Sequence, residues 1–289
     1  MVAAAVMFGG MAFSAKLASA NLSGSQVAMV RFASGLLPVV LVRNHLRKAL
    51  SFKRLDLILM RGLFGGTAVL AYFVAIEHTT VGIATLLNYT APIFSGIFSM
   101  LFIGERVRAK VLIPLPFALA GIVLVIRANA HPGDILGVGR WELLGLLSAI
   151  LSGAAVTAMR AARRGENSWS VYGSFCLLGL IVTAPFGIAT WRNPTAADWI
   201  ALAATSILSI GAQLLLTFSL RWVDALTVGV ISQLAVLISM GLGATMLGDT
   251  IRPMAALGAI LALGGVIGVV YVTSVGRQAS TAAEVAPEA

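Results

Sequence analysis

The chain has 289 residues, of which 59% are hydrophobic and 11% charged, and 20 Lys and Arg against 11 Asp and Glu give a net charge of +9. A soluble globular domain carries about a quarter charged residues, so this composition excludes one. It also leaves no basic, aromatic-studded face for nucleic acid. The single cysteine, Cys176, lies inside an apolar run, so no disulfide forms within the chain and the thiol reads as a small packing residue.

Charge-poor runs of roughly 18 to 23 residues recur, each long enough to cross ~30 Å of hydrocarbon as a helix. The first covers Val2–Ala18 and lacks the charged leader and small-residue cleavage site of a signal peptide. The second covers Ser25–Val42 and leads into the basic loop Arg43–Arg54. The third covers Leu57–Ile76, closed by a tight turn at Glu77–Thr80, and the fourth covers Val81–Ile103. The fifth covers Val111–Ile126. Pro132, Gly133 and Gly139 then break helix, which makes 129–140 a linker between a first half, 1–128, and a second, 141–273. The second half holds Trp141–Met159, Trp169–Thr190, Trp199–Leu220, Ala225–Leu247 and Pro253–Thr273. Residues 274–289 are polar and rich in Ala, Glu and Pro, and are expected to form a disordered cytoplasmic tail.

The expected fold is therefore an all-α membrane protein with ten transmembrane helices. The loops after even-numbered helices, with the tail, hold 13 Lys and Arg, and those after odd-numbered helices hold 5. That asymmetry puts both termini in the cytoplasm. Trp141, Trp169, Trp191, Trp199 and Trp222 all fall at helix ends, where an indole rests among headgroups.

A self-match ties the halves together. Leu70–Val125 laid over Leu214–Val269, an offset of 144 residues, aligns Ala91 with Ala235, Ser95 with Ser239 and Gly104 with Gly248. Glu105 then falls on Asp249, Arg108 on Arg252, Ala118 on Ala262 and Gly121 on Gly265. A self-match at fixed offset marks an internal duplication. Five helices per half is an odd number, so the second copy enters the bilayer inverted. Inverted repeats around a central cavity are the sequence mark of alternating access.

Arg31-Phe32, Tyr72 through Thr80, Pro92, Gly104-Glu105-Arg106 and Gly121 together resemble the drug/metabolite transporter superfamily. Within it the pattern is most similar to the ten-helix EamA-type branch, which includes bacterial amino-acid and metabolite exporters. The resemblance implies that fold, a non-enzymatic export function and the bacterial inner membrane. Two positions depart from the pattern: Asp249 stands where the first copy has Glu105, and Val236 where it has Pro92.

All eleven acids fall in loops or at helix ends, so no carboxylate is available deep in the membrane to couple protons or cations. Facilitated diffusion is the expectation. Arg31 and Arg61 lie within a turn or two of a helix end. Arg31, the deeper, reads either as functional or as snorkelling to the surface. The midplane set is then neutral and aromatic. Tyr89 and Gln233 lie eight residues into their helices, ~12 Å deep, and are 144 residues apart, as are Asn88 and Ser232. Tyr72 and Gln213 join them as substrate-binding candidates. An amide in lipid must find a partner, by lining a cavity or by gluing helices, and both readings stay open. Met11, Phe8 and Phe94 read as apolar wall or plain packing. Pro92 is expected to kink its helix beside the site. Glu105 and Asp249 read either as gate residues or as carboxylates at the positive start of the next helix.

His45, His78 and His131 show no ligand spacing, and no metal, nucleotide or cofactor motif stands out. The expected cargo is a small neutral metabolite, foremost an amino acid with an aromatic or Met-like side chain, carried by a monomer in the bilayer. Another drug or metabolite exporter, a channel and a non-transporting scaffold are the alternatives.

Overall fold

A computed structural model describes residues 1–41, 53–103, 109–128, 139–162, 166–219 and 230–285. Among these every regular element is helical: α1 Val2–Ala18, α2 Gly24–Gly35, α3 Leu37–Val40, α4 Leu55–His78, α5 Val81–Asn88 and α6 Ala91–Ile103. A 3₁₀ turn, Ala109–Leu112, precedes α7 Pro114–Ala128. Then come α8 Arg140–Ala162, α9 Ser168–Ala189, α10 Ala196–Ser219, α11 Leu234–Met246 and α12 Pro253–Val285. Among the described residues, seven helical stretches are long and apolar enough to cross a membrane. Val2–Ala18, Gly24–Val40 and Val230–Met246 are shorter apolar helices. The chain is a multi-pass membrane protein.

Short polar residues start the helices, as their side chains satisfy otherwise unpaired N–H groups. The Ser23 hydroxyl accepts from the Gln26 N–H, and the Asn167 side chain, 144 residues on, accepts from the Trp169 N–H. Thr195 and Asp198 form a reciprocal capping box on α10. Glu77 accepts from the Gly24 N–H at 2.7 Å and so caps α2 from the end of α4. Lys16 donates to the carbonyls of Ile76, Glu77 and Thr79, closing the other side of that turn.

Helices in lipid gain by close backbone approach at small residues. α7 and α12 cross where an added Cβ on Gly121 would strike the Ala262 backbone, and one on Gly265 the Ala118 backbone. α1 rests on α11, with a Cβ on Gly9 falling 2.7 Å from Ile238. α8 rests on α6, with a Cβ on Gly153 falling 2.6 Å from Phe94. A larger residue at any of these positions would force two helices apart.

α12 is helical from Pro253 to Val285. One expectation needs correcting: the second helix is not continuous. It breaks at Leu36 before Pro38, where Val39 bonds back to Leu36 rather than to Gly35. The freed Gly35 carbonyl accepts from the Tyr172 hydroxyl at 3.0 Å.

Candidate functional site

The fourth expected helix is two helices, α5 and α6, parted at Tyr89 and Thr90. There the ladder switches to tighter bonds, Thr90 N–H to Leu87 and Ile93 N–H to Thr90. The ninth does the same at Gln233, with Gln233 N–H to Val230 and Val236 N–H to Gln233. Pro92, at the second position of α6, fits the first break but does not explain the second, where Val236 supplies an ordinary N–H. The two breaks face one another: the Gln233 amide donates to the Tyr89 carbonyl at 3.4 Å. Broken helices at membrane depth leave backbone polar groups where they face protein or a cavity.

Two arginines lie buried among the helices beside the neutral and aromatic set expected from the sequence. Arg31 on α2 and Arg61 on α4 are 6% and 7% exposed, so neither snorkels. Their apolar surroundings hold them inward. The Arg31 guanidinium carbon lies 5.0 Å from the Phe32 ring centroid and 5.8 Å from those of Phe73 and Phe175. That of Arg61 lies 3.9 Å from the same Phe175 ring and folds back against Gly65, which has no side chain to obstruct it. Both cations thus approach the Phe175 ring and are within about 10 Å of one another. Arg31 Nε donates to the Ser209 hydroxyl on α10. Arg31 Nη1 and Arg61 Nε have neither solvent nor a hydrogen-bond partner. No described carboxylate pairs with either arginine. An uncompensated buried charge costs roughly 3–5 kcal/mol, and cation–π contact returns only about 0.5–2 kcal/mol.

Tyr72, Tyr89, Tyr172 and Cys176 all lie within electrostatic reach of Arg31. Tyr72 is buried and bonds to the Thr85 hydroxyl at 2.8 Å. Tyr89, half-buried, joins this group at the α5–α6 break. The Asn88 amide donates to Ser148 at 2.8 Å and Ser152 at 3.4 Å on α8, contacts that join the two helices. Ser232, half-buried, lies beside Gln233, and Gln213 is half-buried on α10. Met11 is 4% exposed within the packed cluster of α1, α2 and α4. It is core.

Of the gate residues, Glu105 lies outside the described residues. Asp249 does not start the next helix, since α12 begins at Pro253. Gly248, at φ 67°, closes α11, and the Asp249 N–H bonds to the Gly243 carbonyl. The Asp249 Oδ2 is buried without a hydrogen bond, within electrostatic reach of Lys16.

Phe175, Tyr172 and Ser209 are missing from the sequence-derived set. The signal for Phe175 was present, because it stands 144 residues after Arg31. Arg31 and Arg61 also interrupt apolar runs, which in a membrane is by default a functional mark.

Long apolar helices packed around buried polar and cationic groups define a polytopic membrane protein. A model of the EamA-like transporter family matches residues 1–127 and again 139–271. The chain belongs to that family, within the drug/metabolite transporter superfamily, and is a membrane transporter. It is similar to the pseudopaline exporter CntI of Pseudomonas aeruginosa (strain UCBPP-PA14), 27% identical over 229 residues covering 79% of each chain. Solute carrier family 35 member G1 of Mus musculus is 25% identical over 171 residues, 55% of this chain and 46% of that one. A solved protein crystal structure shares the fold at a TM-score of 0.64 and 20% identity, covering 94% of this chain and 95% of that one.

Proposed function

We propose that this transporter is an alternating-access exporter of small amino-acid-like metabolites, working by facilitated diffusion. Its ten helices form two inverted repeats, 1–128 and 141–273, joined by 129–140, with both termini in the cytoplasm of a bacterial cell. Reciprocity of contacts carries the reading. Gly9 packs on Ile238 and Gly153 on Phe94, and both Gly9/Gly153 and Phe94/Ile238 are 144 residues apart. The same exchange relates Gly121–Ala262 to Gly265–Ala118. Such pairing is what a two-fold axis between the halves produces, and interchangeable halves can rock around the site between them. The paired breaks at Tyr89 and Gln233 lie at that junction.

Export is supported by the similarity to a pseudopaline exporter. The amino-acid class is supported by the guanidinium, phenol and amide groups at the centre, which suit a carboxylate and an apolar or aromatic body. Uncoupled transport is supported by the placement of Asp56, Glu77, Glu142, Glu166, Asp198 and Asp249 at or beyond helix ends. In proteoliposomes, counterflow of an internally loaded amino-acid-class substrate should be saturable and proceed without a pH or sodium gradient. Strict gradient dependence overturns the energetics, and non-saturable flux favours a channel.

A further inference from the structure

Arg31 and Arg61 put two positive charges at the centre of the molecule, and nothing described there neutralises them. Three features say they are held for a ligand. Each arginine keeps a guanidinium nitrogen unpartnered and shut off from solvent. Both are aimed at one aromatic ring, Phe175, from different helices. Gly65 leaves the room that lets the Arg61 fork lie against that ring. An arginine fork matches a carboxylate with two parallel hydrogen bonds, a geometry that a lone ring face cannot satisfy.

From this arrangement we infer that the transporter recognises net-anionic cargo, a metabolite bearing two carboxylates on an apolar or aromatic body, with Arg31 and Arg61 each taking one carboxylate. This rests on the carrier reading above and deepens it. It departs from the small neutral metabolite expected from the sequence. A zwitterion brings its own ammonium into a site that already holds two cations, and like charges in a water-poor site repel strongly. An amine without carboxylate meets two like charges and no described anion there. The phenyl rings of Phe32, Phe73 and Phe175 offer edges and faces to the body of the ligand.

Three probes with the same ring and different charge separate the possibilities: benzylsuccinate, a dianion; L-phenylalanine, a zwitterion; and phenethylamine, a cation. Binding is measured by equilibrium dialysis on the full-length protein in lipid nanodiscs. Benzylsuccinate should bind at least about tenfold more tightly than L-phenylalanine, with phenethylamine failing to compete. Arg31→Met and Arg61→Met should each weaken benzylsuccinate at least about tenfold. Their ligand-free melting temperatures should hold or rise, because the apolar replacement removes an unpaired buried charge. Arg31→Lys and Arg61→Lys, which keep the charge and lose the fork, should fall between. Equal binding of benzylsuccinate and L-phenylalanine by the wild type overturns the inference. So does undetectable benzylsuccinate binding at millimolar concentration, or Met variants that bind it normally, or Met variants whose empty form melts far lower. Dialysis does not require transport. Charge-selective binding without any counterflow would sink the carrier reading alone, and charge-blind binding with robust counterflow would sink the anion site alone.

Discussion

Asn88 and Arg31 show how two polar side chains come to opposite ends. Asn88 has both its donors' needs met by Ser148 and Ser152 on a neighbouring helix, so its amide is spent on holding α5 against α8. Arg31 has more donors than partners, and the surplus nitrogen faces no solvent. The first is an interhelical hydrogen bond of the ordinary membrane kind, worth about 0.6 kcal/mol on average and about 1.7 at most. Asn88→Ala should therefore lower stability by about 0.6–1.7 kcal/mol, measured by unfolding in mixed micelles, while benzylsuccinate affinity stays within about twofold. A loss of affinity beyond tenfold with unchanged stability would return Asn88 to the binding site. Met11 belongs with Asn88 on this side of the division, since its side chain is locked in the core between α1, α2 and α4.

Helix breaks are the feature the elements share, and they have two causes. Pro38 and Pro92 each follow a break, where the missing N–H costs no helical hydrogen bond, whereas Pro185 lies inside the continuous α9. The break at Gln233 has no proline, yet it falls at the mate of Tyr89 and meets it through a side-chain bond. Position in the bundle, and not proline alone, sets these breaks. Pro92→Ala should thus leave α5 and α6 distinct in a structure of the variant, with counterflow at half the wild-type rate or more. A continuous helix through Tyr89 would make Pro92 the cause after all. The sequence marked Tyr89 and Gln233 through their offset and depth, but hydropathy cannot reveal a break inside a uniformly apolar run. It also could not show that Arg61 turns inward. That depends on Gly65 clearing one side and Phe175, on α9, waiting on the other, which is a contact between residues 114 positions apart.

Across the whole molecule, what was legible in the sequence is what repeats. Apolar run lengths set most helix limits to within a few residues, and the family resemblance rested on motifs that the family match bears out. The sequence self-match, however, stopped at the third to fifth helices of each half, because the remaining pairs keep size rather than identity: Gly9 and Gly153 are the same residue, but their contacts Ile238 and Phe94 are not. A glycine contact is blind to which bulky side chain lies opposite, so alignment by residue identity passes over it. The two-fold reading makes these positions equivalent, and that equivalence can be measured. Gly9→Leu would drive a side chain into Ile238 and the Ala235 carbonyl, and Gly153→Leu one into Phe94 and the Ser95 backbone. Overpacking at a tight contact costs about 1–3 kcal/mol, and with matched geometry in the two halves the costs should match to within about 0.5 kcal/mol. The two contacts share no partner, so the double variant should lose the sum of the single losses. Thermal or denaturant unfolding of the three variants in the same micelles checks this. If Gly9→Leu is tolerated while Gly153→Leu unfolds the protein, or the reverse, the halves are not equivalent and the two-fold reading fails.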